Sequence, residues 1–139
     1  MVQATATSRS VRTSAQKAGL VLDLIRGKDV TGALATLKFS TKGVAKSIHT
    51  LLRSAIANAQ LADGFGGDVE RLYVSAAYAD QGTSFKRVRP APMGRAFRVV
   101  KRTAHLTVQV AERPVRRRAP QAPTKPRARK TAGADSNQE

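Results

Sequence analysis

Seven cations crowd a seventeen-residue stretch: Lys86, Arg87, Arg89, Arg95, Arg98, Lys101 and Arg102. No Asp or Glu occurs from Phe85 to Ala111. Guanidinium and ammonium groups without an internal counter-charge suit the binding of a polyanion. Each cation that neutralises a phosphate releases a condensed counterion, and the planar guanidinium fork bridges phosphate oxygens or stacks on a base. The whole chain leans the same way, with 25 Lys and Arg against 9 Asp and Glu in 139 residues and a formal charge of +16. More than two-thirds of that excess lies in the last two-fifths of the chain, which a generally solvated surface would not produce.

Catalytic chemistry finds few residues. There is no Cys, which excludes disulfides, thiolate metal sites and cysteine nucleophiles. No Ser-His-Asp order, HExxH, GxSxG or paired-carboxylate spacing is present. His49 and His105 lie far apart with no carboxylate at ligand spacing, so each reads as a surface or RNA-facing side chain. The glycines Gly64–Gly67 follow a helix instead of opening one, and no Lys-Ser/Thr comes after them, so they form a loop and not a phosphate cradle. We expect no enzyme, no metal and no cofactor. No apolar run approaches the ~18 residues that span a bilayer, and residues 1–10 have no signal-peptide character. The expectation is a soluble, cytoplasmic protein without a membrane partner.

The elements that position the cations follow from periodicity. Ser14 caps a first helix whose apolar residues are Ala18, Leu20, Val21, Leu24 and Ile25, with Gly27 at its exit. Asp29 caps a second helix through Leu34 and Leu37 that ends near Phe39. Thr41 opens the third and longest, where Val44, Ile48, Leu51, Leu52, Ala55, Ile56 and Ala59 form one stripe and Lys42, Lys46, His49 and Arg53 fall mostly on the other side. The period then becomes two. Leu72, Val74, Ala76 and Tyr78 share one face of a strand, which puts Tyr78 in the core; Tyr73, on the other face, is either core or a base-stacking platform. Ala104, Leu106, Val108 and Val110 share a face of a second strand. Residues 2–10 supply a third. The fold class is α+β, three helices packed on a small three-stranded antiparallel sheet.

The segment from Asp80 to about Phe97 far exceeds a hairpin turn of ~2–5 residues. Only Arg89–Gly94 reads as a turn, and the flanks extend the two strands as an arm, about residues 82–98. With ~8 residues per leg at ~3.3 Å each it reaches roughly 25 Å, against a radius of gyration of ~13 Å for a body of ~100 residues. An isolated two-stranded ribbon is marginal in water, and like charges facing across strands weaken it further. Seven cations on it make sense if phosphates lie on both sides. Phe85 and Phe97 flank the arm, either to stack on bases or to pack its root. Residues 1–111 form one unit. Residues 112–139, where four prolines interleave with basic residues, read as a disordered basic tail.

The order and spacing of several motifs are also recognisable. These are Ser14-Ala15-Gln16-Lys17, Leu24-Ile25-Arg26-Gly27-Lys28, Ser54-Ala55-Ile56-Ala57-Asn58-Ala59, Lys86-Arg87-Val88-Arg89-Pro90, Gly94-Arg95-Ala96-Phe97-Arg98 and Lys101–Val108. Across about residues 8–110 the chain closely resembles the bacterial family of large-subunit ribosomal protein twenty-two. The resemblance implies a structural constituent of the large ribosomal subunit, monomeric within the ribosome. It would bind several domains of the large-subunit rRNA, act early in subunit assembly, and pass its hairpin between rRNA helices. Carried over by position, Arg9, Arg12 and Lys17 are body contacts to rRNA. Lys86, Arg87, Arg89, Arg95, Arg98, Lys101 and Arg102 are arm contacts. Pro90, Ala91, Pro92, Met93 and Gly94 are the tip, lining the nascent-peptide exit tunnel beside large-subunit ribosomal protein four. The sequence departs from the family pattern at Ala91-Pro92, where a basic residue commonly follows the proline. The competing readings are a DNA-binding architectural protein, which the basic tail alone would allow, and an RNA-modifying enzyme.

Overall fold

The computed structural model describes residues 2–62 and 64–113. A first strand, β1 (Gln3–Val11), is followed by three helices, α1 (Ala15–Asp23), α2 (Val30–Phe39) and α3 (Val44–Gln60). A single 3-10 turn (Val69–Arg71) then leads into two long strands, β2 (Leu72–Pro90) and β3 (Ala96–Glu112). The sheet is antiparallel in the order β1-β3-β2, so the last strand is the central one. The tail assigned from sequence lies, beyond Arg113, outside the described residues.

The helices cover one face of the sheet. From α3 come Ala45, Ile48, Leu51, Leu52, Ala55, Ile56 and Ala59; they meet Leu106, Val108 and Val110 of β3 and Ala4 and Ala6 of β1 in one buried cluster. Small residues on β1 let α3 close onto the sheet without large side chains between them. Ser14 caps α1 as expected, its hydroxyl accepting from the Lys17 N–H at 3.3 Å. Asp29 precedes α2 but makes no side-chain cap; its carboxylate pairs with Arg113 at 2.9 Å.

Three expectations about faces and ends are corrected. On α1 the buried residues are Ala18, Val21 and Leu22, with Ile25 just beyond, while Leu20 and Leu24 are 67% and 50% exposed. At 100° per residue those two leucines fall on the side of the helix away from Ala18 and Ile25. α3 begins at Val44 after Gly43, not at Thr41. On β2 the alternation slips: Val74 pairs with Val110 but Ala76 with Gln109, leaving Ser75 as the extra residue of a β-bulge. The Ser75 hydroxyl donates to the Gln109 carbonyl at 3.2 Å. Past the bulge Ala77 faces the core, and Tyr78, expected inside, is 42% exposed on the outer face.

The outer edge of β2 is covered where it belongs to the body. Gly27 N–H donates to Val74 O at 2.9 Å, Val74 N–H to Lys28 O at 3.0 Å, and the Arg26 guanidinium to Ala77 O at 2.7 Å. The link between α1 and α2 thus acts as a partial fourth strand and satisfies groups that would otherwise template foreign pairing.

A second bulge marks the point where the arm leaves the body, between Gln81 paired with Ala104 and Ser84 paired with Arg102. Gly82 sits there because nothing larger fits. A Cβ at that position would lie 2.6 Å from the Thr103 hydroxyl and 3.3 Å from the His105 ring. That hydroxyl donates to Thr83 O at 2.6 Å, tying the two legs together at the root. Gly82→Ala is therefore expected to cost about 1–3 kcal/mol by overpacking, seen as a lowered midpoint in urea denaturation.

Candidate nucleic-acid interface

Beyond the second bulge the ribbon has only two strands. Its ladder runs from Ser84 paired with Arg102 to Pro90 paired with Ala96, seven rungs or roughly 23 Å at ~3.3 Å per residue. The rungs explain how so many cations share so narrow a structure. Phe85 stands opposite Lys101, Lys86 opposite Val100, Arg87 opposite Val99, Val88 opposite Arg98, and Arg89 opposite Phe97. No rung sets one cation against another, so the direct cross-strand repulsion expected from composition is avoided by register.

Because side chains alternate between faces, the same register divides the charge. Lys86, Arg98 and Arg102 share one face with Val88 and Val100. Arg87, Arg89 and Lys101 share the other with Phe85, Phe97 and Val99. Arg95 lies in the turn. There Ala91 N–H donates to Arg95 O at 3.0 Å, and Met93 and Gly94 take positive φ. Phe85 is partly shielded by the Arg87 guanidinium, 5.8 Å from its ring centre. Phe97 is exposed near the tip, so it does not pack the root.

The root gathers further cations. Arg12 and Lys17 line one concavity with Ser14, Val100 and Arg102, so two body residues and one arm residue converge on a single surface. The first turn of α1 adds the partial positive charge of its free N–H groups. Arg9 stands apart, on the β1 bulge between Ser8 and Val11. There Ser10 takes φ +56° and turns its N–H out of the ladder to donate to His105 Nδ1 at 3.0 Å. His105 is thereby a structural acceptor. Tyr73, a possible stacking platform from sequence, is instead half-buried with the Arg113 guanidinium 5.5 Å from its ring centre.

The ion pairs sort the basic residues. Among the described residues Arg26 pairs with Asp23, Arg71 with Glu112 and Arg113 with Asp29. Arg9, Arg12, Lys17 and the seven arm cations are all exposed, and none of these ten is in an ion pair with another described residue. The bases that hold the body together have carboxylate partners. Those aligned on the arm and its root are left to an external anion.

The family model described as Ribosomal protein L22p/L17e matches residues 6–111, which take in most of β1, all three helices and the entire arm. The chain belongs to the ribosomal protein L22 family. Among relatives, the "Large ribosomal subunit protein uL22" of Koribacter versatilis (strain Ellin345) is 50% identical over 113 residues, covering 79% of this chain and 68% of the relative. The protein of the same name from Clostridium novyi (strain NT) is 45% identical over 112 residues, covering 81% of this chain and 99% of the relative. The L22 match takes in every cation of the arm and its root.

Proposed function

We propose that this chain binds large-subunit rRNA by inserting its ribbon between RNA segments, with cations engaging phosphates on both faces. Arg9, Arg12 and Lys17 anchor the body to the same RNA, and the chain thereby supports subunit assembly. The tip, Pro90 to Gly94, lines the nascent-peptide exit tunnel beside large-subunit ribosomal protein four and meets the nascent peptide. The coarser statement follows from membership of the L22 family: the chain is a structural, non-enzymatic protein of the large ribosomal subunit, associated with rRNA and other ribosomal proteins in the bacterial cytoplasm.

The observation that carries the reading is the rung pattern of the arm. A cationic ribbon lying on one surface needs charge on one face only, whereas this one has three cations on each. Guanidinium and ammonium groups spaced along a backbone recognise RNA mostly by shape and phosphate position, not by base sequence. Residues 1–111 act as one unit in this reading. The tip, Pro90 to Gly94, is itself uncharged, with Arg89 and Arg95 on either side of it, as suits a surface that a moving peptide passes.

Sedimentation of the tagged chain with large subunits through a high-salt wash tests the reading; retention is expected, and complete release would overturn it. A photo-crosslinker at Met93 should capture a stalled nascent chain. Equal affinity for duplex DNA and structured rRNA at matched salt would favour an architectural DNA-binding role instead.

A further inference from the structure

The L22 reading concentrates on the arm, yet the sequence has another long acid-free stretch. No Asp or Glu occurs from residue 30 to residue 62, and Lys38, Lys42, Lys46 and Arg53 lie within it. In the fold, Lys38 at the end of α2, Lys42 in the loop before α3, and Lys46 and His49 in the first turns of α3 line one concavity of about 500 Å³. That concavity shares Gly43 with a second, lined by Val11, Arg12, Thr13, Val44 and Ser47. The second shares Arg12 with the concavity at the arm root, where Lys17 and Arg102 stand. Three depressions thus follow one another, each sharing a lining residue with the next, and among the described residues no acid lines any of them. Lys38, Lys42 and Lys46 are exposed and in no ion pair among the described residues.

We propose that this path is a second RNA-docking track, along which a strand bound at the arm root continues over the start of α3 to the end of α2. It rests on the rRNA-binding reading and adds to it a direction and a far end. At the far end Lys38 and Ser40 line the depression, and Phe39, between them in sequence, is 82% exposed. A single exposed apolar side chain is ordinary. An exposed ring next in sequence to a lysine of such a path is a combination that single-stranded nucleic acid can use, phosphates on the cations and a base on the ring. Lysines suit the phosphates as compact point charges, without the fork that would impose one geometry.

The test compares three proteins for binding to in vitro-transcribed bacterial large-subunit rRNA over a range of salt. One is the unaltered chain, one has Lys38, Lys42 and Lys46 changed to Ala, and one has the arm residues Arg87, Arg89 and Lys101 changed to Ala. Each triple change is expected to flatten the slope of log affinity against log salt by about 2–3, since each phosphate contact contributes roughly 0.7–0.9. Loss of slope for the arm variant alone would overturn the track and leave the arm reading intact. No loss for either would overturn both. Phe39→Ala is expected to weaken binding roughly 5- to 150-fold, the range of base–aromatic stacking, with Phe39→Trp restoring it; an unchanged affinity would remove the ring from the proposal. Ultraviolet cross-linking of the unaltered chain should attach nucleotides within residues 38–46, and cross-links confined to the arm and its root would overturn the track without any variant having to fold.

Discussion

Alanine at Lys86, Arg98 and Arg102 together is expected to flatten the salt dependence of rRNA binding by about 2–3 in log–log slope. Alanine at Arg87, Arg89 and Lys101, on the opposite face, should do the same. The two triples are matched because the register places three cations on each side of the ribbon. Changing all six should flatten the slope by about 4–5, again at roughly 0.7–0.9 per phosphate contact. Arg26→Ala serves as the control: that guanidinium is held by Asp23 at 3.0 Å and by the Ala77 carbonyl, so its loss should leave the slope unchanged. Fluorescence anisotropy of labelled rRNA fragments between low and physiological salt gives the slope directly. If one face carried the whole effect, the ribbon would lie on RNA and not between two segments of it.

The second large effect concerns the body. Leu52 sits in the middle of α3, fully buried in the cluster that joins the helices to the sheet. Leu52→Ala is expected to destabilise the fold by about 2–5 kcal/mol, combining lost transfer energy with the cavity left behind. A domain of this size is stable by only about 5–15 kcal/mol, so the change removes a large share. Leu20→Ala, on the exposed side of α1, should stay within about 0.5 kcal/mol. Urea denaturation separates them: the Leu52 midpoint falls with an unchanged slope, and the Leu20 midpoint stays put.

Much of this architecture is legible from periodicity. The α3 stripe from Ile48 to Ala59 and the β3 alternation from Ala104 to Val110 are buried as read, because long amphipathic runs leave one choice of face. The errors share a cause. Counting in twos puts Tyr78 in the core, but one extra residue at Ser75 inverts the faces from there to the second bulge. Leucines at positions 20 and 24 are apolar but out of phase with the buried face, whereas Leu22 is in phase, and a helix of nine residues is too short for its period to tell them apart. Thr41 resembles a cap, yet the chain delays the helix to Val44.

The candidate site shows the same division. Its cations are visible in composition, and the arm's length follows from the distance between the two strands. Their segregation to two faces is not visible, because it depends on the pairing register, which a bulge near Gly82 resets. The joining of Arg12, Lys17 and Arg102 requires the tertiary fold, since 85 residues separate Lys17 from Arg102.

The strand order has a mechanical consequence. β3 is the central strand of the sheet and runs unbroken from the core out into the arm. Its hydrogen bonds to β1 and β2 lie across the strand direction. Tension along the arm, carried by β2 and β3 together, therefore loads the β3–β1 ladder in shear, many bonds at once, instead of peeling an edge strand away one bond at a time. A protruding ribbon rooted only on an edge strand would unzip from its own body under a pull. With one leg on the middle strand, this one passes the load into the sheet beneath the helices.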